Sequence, residues 1–172
     1  TEPEYGQLLV DQLPVWKDNV KEWRSKISHV PQNDFFLDAT VRENLIGFDP
    51  DLKCDESKLN FACEVSGVWE MLSNRPLGLD TLMGENANFF SGGQRQRIGL
   101  ARALYQQKPV LVLDEAMSAL DYESERKIIN KLKNLPYSAL VIIVSHRQEL
   151  LQECDSIVEI SSGTAHEFQS NI

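Results

Sequence analysis

The chain has 172 residues, 42% of them apolar and 25% charged, with a net charge of −9. That length and balance fit one ordinary globular domain with a real core. The acidity argues against a nucleic-acid partner, which would be drawn to a basic face, and against an anionic membrane surface. The longest wholly apolar run, 139–144 (ALVIIV), is far too short to span a bilayer. Cys54, Cys63 and Cys154 form no CxxC pair and are odd in number, so reduced thiols in a reducing compartment are expected. His29, His146 and His166 are not at zinc-ligand spacing. The start, TEPEYGQ, has neither Met nor signal peptide, so the chain reads as a piece of something longer.

In chain order, residues 7–10 (QLLV) read as a short strand after a turn at Gly6. Residues 17–24 form a polar, helical stretch, with Trp16 and Trp23 expected to pack. Residues 26–30 (KISHV) make a strand that Pro31 ends. Thr40-Val-Arg-Glu43 is a capping box, so a helix starts at Thr40, runs to about Ile46 and stops at Gly47. Asp55 is an N-cap for the helical pattern ESKLNFACEVSGVWEMLSN, with apolar positions at Leu59, Ala62, Cys63, Val65 and Trp69. Residues 75–90 are irregular. Ser91-Gly-Gly-Gln94 is a second capping box and opens a helix to about Tyr105. On it Arg95, Arg97 and Arg102 recur at helical spacing, as a solvated or salt-bridged face would.

Residues 110–113 (VLVL) and 139–144 (ALVIIV) are fully apolar, the pattern of strands buried on both faces. Asp121 N-caps a helix to about Asn134. Residues 148–154 form a short helix, and 156–160 and 164–168 are closing strands joined around Gly163. Buried strands alternating with helices give an α/β fold with a mainly parallel sheet. Residues 40–90 contain no comparable buried strand and read as a helical insertion.

Two stretches carry chemistry. Exposed backbone N–H groups at Ser91-Gly92-Gly93, opening a helix, make an anion site. In VLVLDEAMSALD the strand runs into Asp114-Glu115. Ligands in open parallel sheets sit at the carboxyl ends of the strands. One carboxylate there can hold Mg²⁺, and its neighbour can orient and deprotonate a water. An acidic strand-to-loop turn fits these two residues equally well. His146, at the end of the next apolar strand, shifts the balance, because it would share a sheet edge with Glu115 and reach a terminal phosphate. His29 and His166 lack such a setting.

FSGGQRQR at 90–97, LVLDEAMSALD at 111–121, VPQNDFFLDATVRENL at 30–45 and IVSHR at 143–147 resemble, in order and spacing, the nucleotide-binding domain of an ATP-binding-cassette (ABC) transporter. The forms of the Gln32, Ala119–Asp121 and His146 segments resemble the exporter branch. The resemblance implies a P-loop NTPase-like fold with an inserted helical subdomain. It places a partial RecA-like core with the Q-loop at 1–39, the helical subdomain with the signature motif at 40–105, and the core with Walker B, D-loop and switch histidine at 106–172. It implies ATP and Mg²⁺ as cofactors. Gln32 would sense Mg²⁺ and the attacking water. Ser91, Gly92, Gly93 and Gln94 would contact ATP held by the opposite subunit. Asp114 would act on Mg²⁺, Glu115 as the base, Asp121 in communication across the dimer, and His146 as the switch. The implied partners are a second nucleotide-binding domain, in a homo- or heterodimer, and the transmembrane domain of an exporter, at the cytoplasmic side of a membrane.

Phe90 stands where the family usually has Leu, and Met117 where it has Thr; both are expected to matter little. Trp16, Trp23 and Trp69 are expected to pack rather than stack on adenine. A phosphate-cradling loop would read G-x-x-x-x-G-K-[ST], and no glycine here is followed by Lys. The expectation is therefore that the P-loop, with its strand and helix, lies just before Thr1 of an ATP-driven exporter. The alternative is a non-catalytic half-site module that donates its signature motif in trans. A DNA-repair or chromosome-structure ATPase ranks low, given the acidity and only twelve residues between Arg97 and Val110.

Overall fold

A three-stranded parallel sheet, ordered β3-β4-β5, forms the centre of the computed structural model, which describes residues 5–15, 18–48 and 53–169. Its strands are β3 (Ile27–Val30), β4 (Val110–Asp114) and β5 (Leu140–Val144). The register pairs Val30 with Leu113 and Asp114 with Val144, so all three strands end at one edge. A small hairpin, β1 (Leu9–Val10) with β2 (Leu13–Pro14), precedes it, and a second, β6 (Ser156–Ser161) with β7 (Thr164–Gln169), follows. The expected parallel α/β core is present. The packing expected of Trp16 and the helical start expected at Lys17 lie outside the described residues; α1 covers Val20–Ser25.

The helices begin where side chains can satisfy their free N–H groups. In α2 (Val41–Ile46) and α5 (Gly92–Tyr105) both capping boxes form as expected, Thr40 with Glu43 and Ser91 with Gln94. Asp55 caps α3 (Glu56–Ser66) through Ser57 and Lys58, and Asp121 caps α6 (Tyr122–Leu132) through Ser124. α7 is only Gln148–Leu151. α5 is the hub, packing on α2, α3, β3 and the short helix Val68–Leu72. Leu45, Leu59, Ile98, Leu100, Leu104 and Leu113 are buried around it.

Two expectations need correction. The single helix expected over residues 56–74 is two: Gly67 is left-handed, at φ 76° and ψ 21°, and separates α3 from α4 (Val68–Leu72). That break turns Val68 and Leu72 inward and leaves Trp69 40% exposed. β4 and β5 are not buried on both faces. In β4 Leu111 and Leu113 are buried while the alternate residues are half-exposed, and in β5 Leu140 is 61% exposed. The cause is position: β5 is an edge strand, and one sheet face carries the packed helices while the other stays open. Of the solvated or salt-bridged face expected of the α5 arginines, the bonded form is the one present. Arg95 donates to the Phe90 carbonyl, Arg97 to Ser124 Oγ, and Arg102 pairs with Asp34 while lying over the Phe36 ring. None of the helices among the described residues is long and apolar enough to cross a membrane.

Candidate functional site

Each strand of the parallel sheet delivers one polar side chain to the shared edge. Gln32 follows β3, Glu115 follows β4 and His146 follows β5. Glu115 Oε2 accepts a hydrogen bond from Gln32 Nε2 at 2.6 Å, and its Oε1 meets His146 Nε2 at 3.0 Å. The Glu115 side chain is 26% exposed and that of His146 90%, so the carboxylate sits at the root of the group and the imidazole on its open side. The Glu115 N–H donates to the Val144 carbonyl at 3.0 Å, which ties the carboxylate to the strand that carries His146. Glu115 holds φ at 48°, a left-handed backbone that a non-glycine residue adopts only where its surroundings fix it. Beside it lies a cleft of about 200 Å³ lined in part by Ser118, Ser145 and Arg147.

Asp114 closes β4, half-buried, and its carboxylate has no side-chain partner among the described residues. It presents carboxylate oxygens at a strand end. No group of three or more His, Cys, Asp or Glu placed to hold a metal occurs among the described residues. One carboxylate suits Mg²⁺, which keeps several waters and shares ligands with phosphates rather than sitting in an all-protein cage.

Residues 91–94 form a second cluster. Ser91 Oγ accepts from the Gln94 N–H at 3.3 Å, and Gln94 Oε1 accepts from the Ser91 N–H at 2.9 Å. Both side chains are therefore engaged in the cap, and the backbone N–H groups of Gly92 and Gly93 take no part in it. A Cβ on Gly93 would come within 2.9 Å of the Ala119 carbonyl oxygen, so the helix start lies flat against the loop after Glu115. Asp121 ends that loop. Ser124, by its hydroxyl first and its backbone N–H next, holds the Asp121 carboxyl below the usual carboxylate range. The structure thus brings Gln32, Glu115 and His146 together directly. It places Ser91–Gln94 with Ala119–Asp121 in a neighbouring cluster.

Gln96, Arg147 and Glu125 escaped the sequence reading. Gln96 Oε1 accepts from the Ala119 N–H at 2.8 Å, and its Nε2 donates to Ser118 Oγ at 3.1 Å. Arg147 pairs with Glu125 at 2.6 Å. Glu125 is 2% exposed, and burial pushes its pKa up against the opposing pull of Arg147. The only sequence signal was adjacency: Gln96 lies inside the signature stretch and Arg147 follows His146.

The ABC transporter family model matches residues 1–118. The ATP-dependent lipid A-core flippase of Bordetella pertussis is 36% identical over 161 residues, 94% of this chain and 26% of that protein. That of Vibrio vulnificus is 37% identical over 166 residues, 96% of this chain and 28% of that protein. The multidrug resistance protein sirA of Leptosphaeria maculans is 36% identical over 165 residues, 96% of this chain and 13% of that protein. A solved bacterial Atm1-family ABC exporter with ATP bound superposes with a TM-score of 0.88 at 26% identity, covering 98% of this chain and 30% of that one. The chain spans about a quarter of the length of the bacterial flippases it matches. A parallel sheet that sets Gln32, Glu115 and His146 on one edge, and a model match over more than half its length, lead to one conclusion: the chain belongs to the ABC transporter family.

Proposed function

We propose that this chain is part of the ATP-hydrolysing engine of an exporter, acting at the cytoplasmic side of a membrane. The convergence of Gln32, Glu115 and His146 from three adjacent strand ends carries the reading. Glu115 is the general base: a carboxylate fixed on both oxygens is aimed, and an aimed base is what proton abstraction from a water needs. Gln32 holds the water and Glu115 in line through its amide. His146, exposed on its open side, exchanges its Nε2 contact with Glu115 for the terminal phosphate. Asp114 is the metal ligand, with Gln32 as a second oxygen donor, and bound Mg²⁺ would supply charge neutralisation at the phosphates. Positioning and charge stabilisation do most of the work in phosphoryl transfer.

Ser91, Gly92, Gly93 and Gln94 receive the phosphates of ATP held by a second nucleotide-binding domain, in a homo- or heterodimer. Asp121 lies at the same face. Residues 40–105 act as the helical arm and 1–39 with 106–172 as the core. The flippases are named for ATP-dependent flipping of lipid A-core and sirA for multidrug resistance; the step proposed here is ATP-driven transport through a transmembrane domain. The test uses the full-length protein in lipid vesicles. Glu115→Gln should lower ATP turnover by about a hundredfold or more while ATP binding persists. Turnover that survives Glu115→Gln yet is lost in Gly93→Ala would instead establish a half-site donor.

A further inference from the structure

The loop that follows Glu115 is gripped from two sides by side chains that no motif assigns. From the turn after β5, Arg147 Nη2 donates to the Ser118 carbonyl at 2.9 Å and Nη1 to the Leu120 carbonyl at 3.2 Å. The same Nη1 meets the Glu125 carboxylate at 2.6 Å. Glu125 is buried, so the guanidinium is anchored from below and its planar fork is spent on the two loop carbonyls. From α5, Gln96 accepts from the Ala119 N–H and donates to Ser118 Oγ. Three consecutive residues, Ser118, Ala119 and Leu120, are thereby pinned through their backbones. The Ser118 N–H in turn donates to the Glu115 carbonyl at 3.1 Å, closing a turn onto Glu115 itself.

We infer that Arg147 and Gln96 are positioning residues that hold Glu115 in its left-handed backbone and aim its carboxylate. The inference rests on the reading of Glu115 as the base. Neither residue touches the reacting atoms. Each links the loop to an element that carries a site residue: Arg147 is the neighbour of His146, and Gln96 lies on the helix that starts at Ser91. A shift of α5 therefore reaches Glu115 through Gln96, whose Nε2 also lies 3.5 Å from the Glu115 carbonyl oxygen. A misplacement of about 1 Å in a catalytic group can cost about a hundredfold in rate.

The test uses the full-length protein in vesicles with three variants. Arg147→Lys keeps the charge opposite Glu125 but cannot fork onto both carbonyls. Gln96→Met keeps the length and removes the hydrogen bonds. Both should lower kcat by about tenfold or more, with KM for ATP within about twofold and the unfolding midpoint unchanged. Wild-type kcat in both, or a fall in kcat that tracks a lowered midpoint, would overturn the inference. Glu115→Gln is measured alongside. If that variant keeps turnover, the assignment of the base fails; if it is inactive while Arg147→Lys and Gln96→Met run at full rate, the grip alone fails.

Discussion

At the scale of single residues, burial decides which polar groups are chemistry and which are scaffold. Cys63 shows this apart from the site. It occupies an apolar position of α3, fully buried, and desolvation pushes its thiol up to about 12 from 9.0. In the unfolded chain that thiol loses its proton near pH 9, whereas the folded chain holds it to about pH 12. Between those values the native state binds more protons than the unfolded one, so stability present below pH 9 is lost as pH rises towards 12. The slope for one proton is about 1.4 kcal/mol per pH unit. Urea midpoints at about pH 8 and about pH 10.5 should therefore diverge in the wild type, and Cys63→Ala should flatten the difference. An identical pH dependence in both proteins would refute the assignment. The folded thiol should also resist alkylation at neutral pH, since the thiolate is the nucleophile.

At the scale of elements, the boundaries that local chemistry writes are sharp and the rest are not. A side chain three residues from its N–H target can be seen in sequence, so the capping boxes at Thr40 and Ser91 and the Asp55 and Asp121 caps fall where the sequence places them. Gly67 defeated the same reading. Its apolar neighbours keep helical spacing across it, and nothing local announces that the Arg97 guanidinium, thirty residues on, occupies the space where a Cβ would go. Gly67→Ala would impose a side chain on a left-handed residue, costing about 1–2 kcal/mol, and would displace Arg97 from Ser124 at the start of α6. A fall of about 2–3 kcal/mol in unfolding free energy is expected from denaturant titration, and an unchanged midpoint would show that α3 and α4 can join. The same distance hid Glu125, which reads as a surface residue on the first turn of an amphipathic helix until β5 brings Arg147 over it. Gln32, Glu115 and His146 were legible because strand ends were legible, and parallel strands share one edge.

At the scale of the whole molecule, the apolar strands 110–113 and 139–144 were read for composition, and composition does not reveal which face is covered. Leu140, Ile142 and Val144 are 61%, 43% and 46% exposed, along a strand that among the described residues is an edge with an unpaired row of backbone groups. Val158 and Ile160 of β6 add 58% and 78% exposure. Such an edge is a template for another strand, and nothing on it supplies the charge or bulge that would discourage pairing. The net charge of −9 opposes association, but only over a Debye length of about 10 Å at 0.1 M salt. Added salt screens that repulsion and leaves the apolar contact intact. The 172-residue chain expressed by itself should therefore sediment as a species whose mass rises with concentration, and more so as salt is raised. Ile142→Lys places a charge on the exposed face of β5 and should shift it towards monomer. A monomer at every concentration and salt, with one sharp, concentration-independent melting transition in the unsubstituted chain, would show that this face is tolerated uncovered.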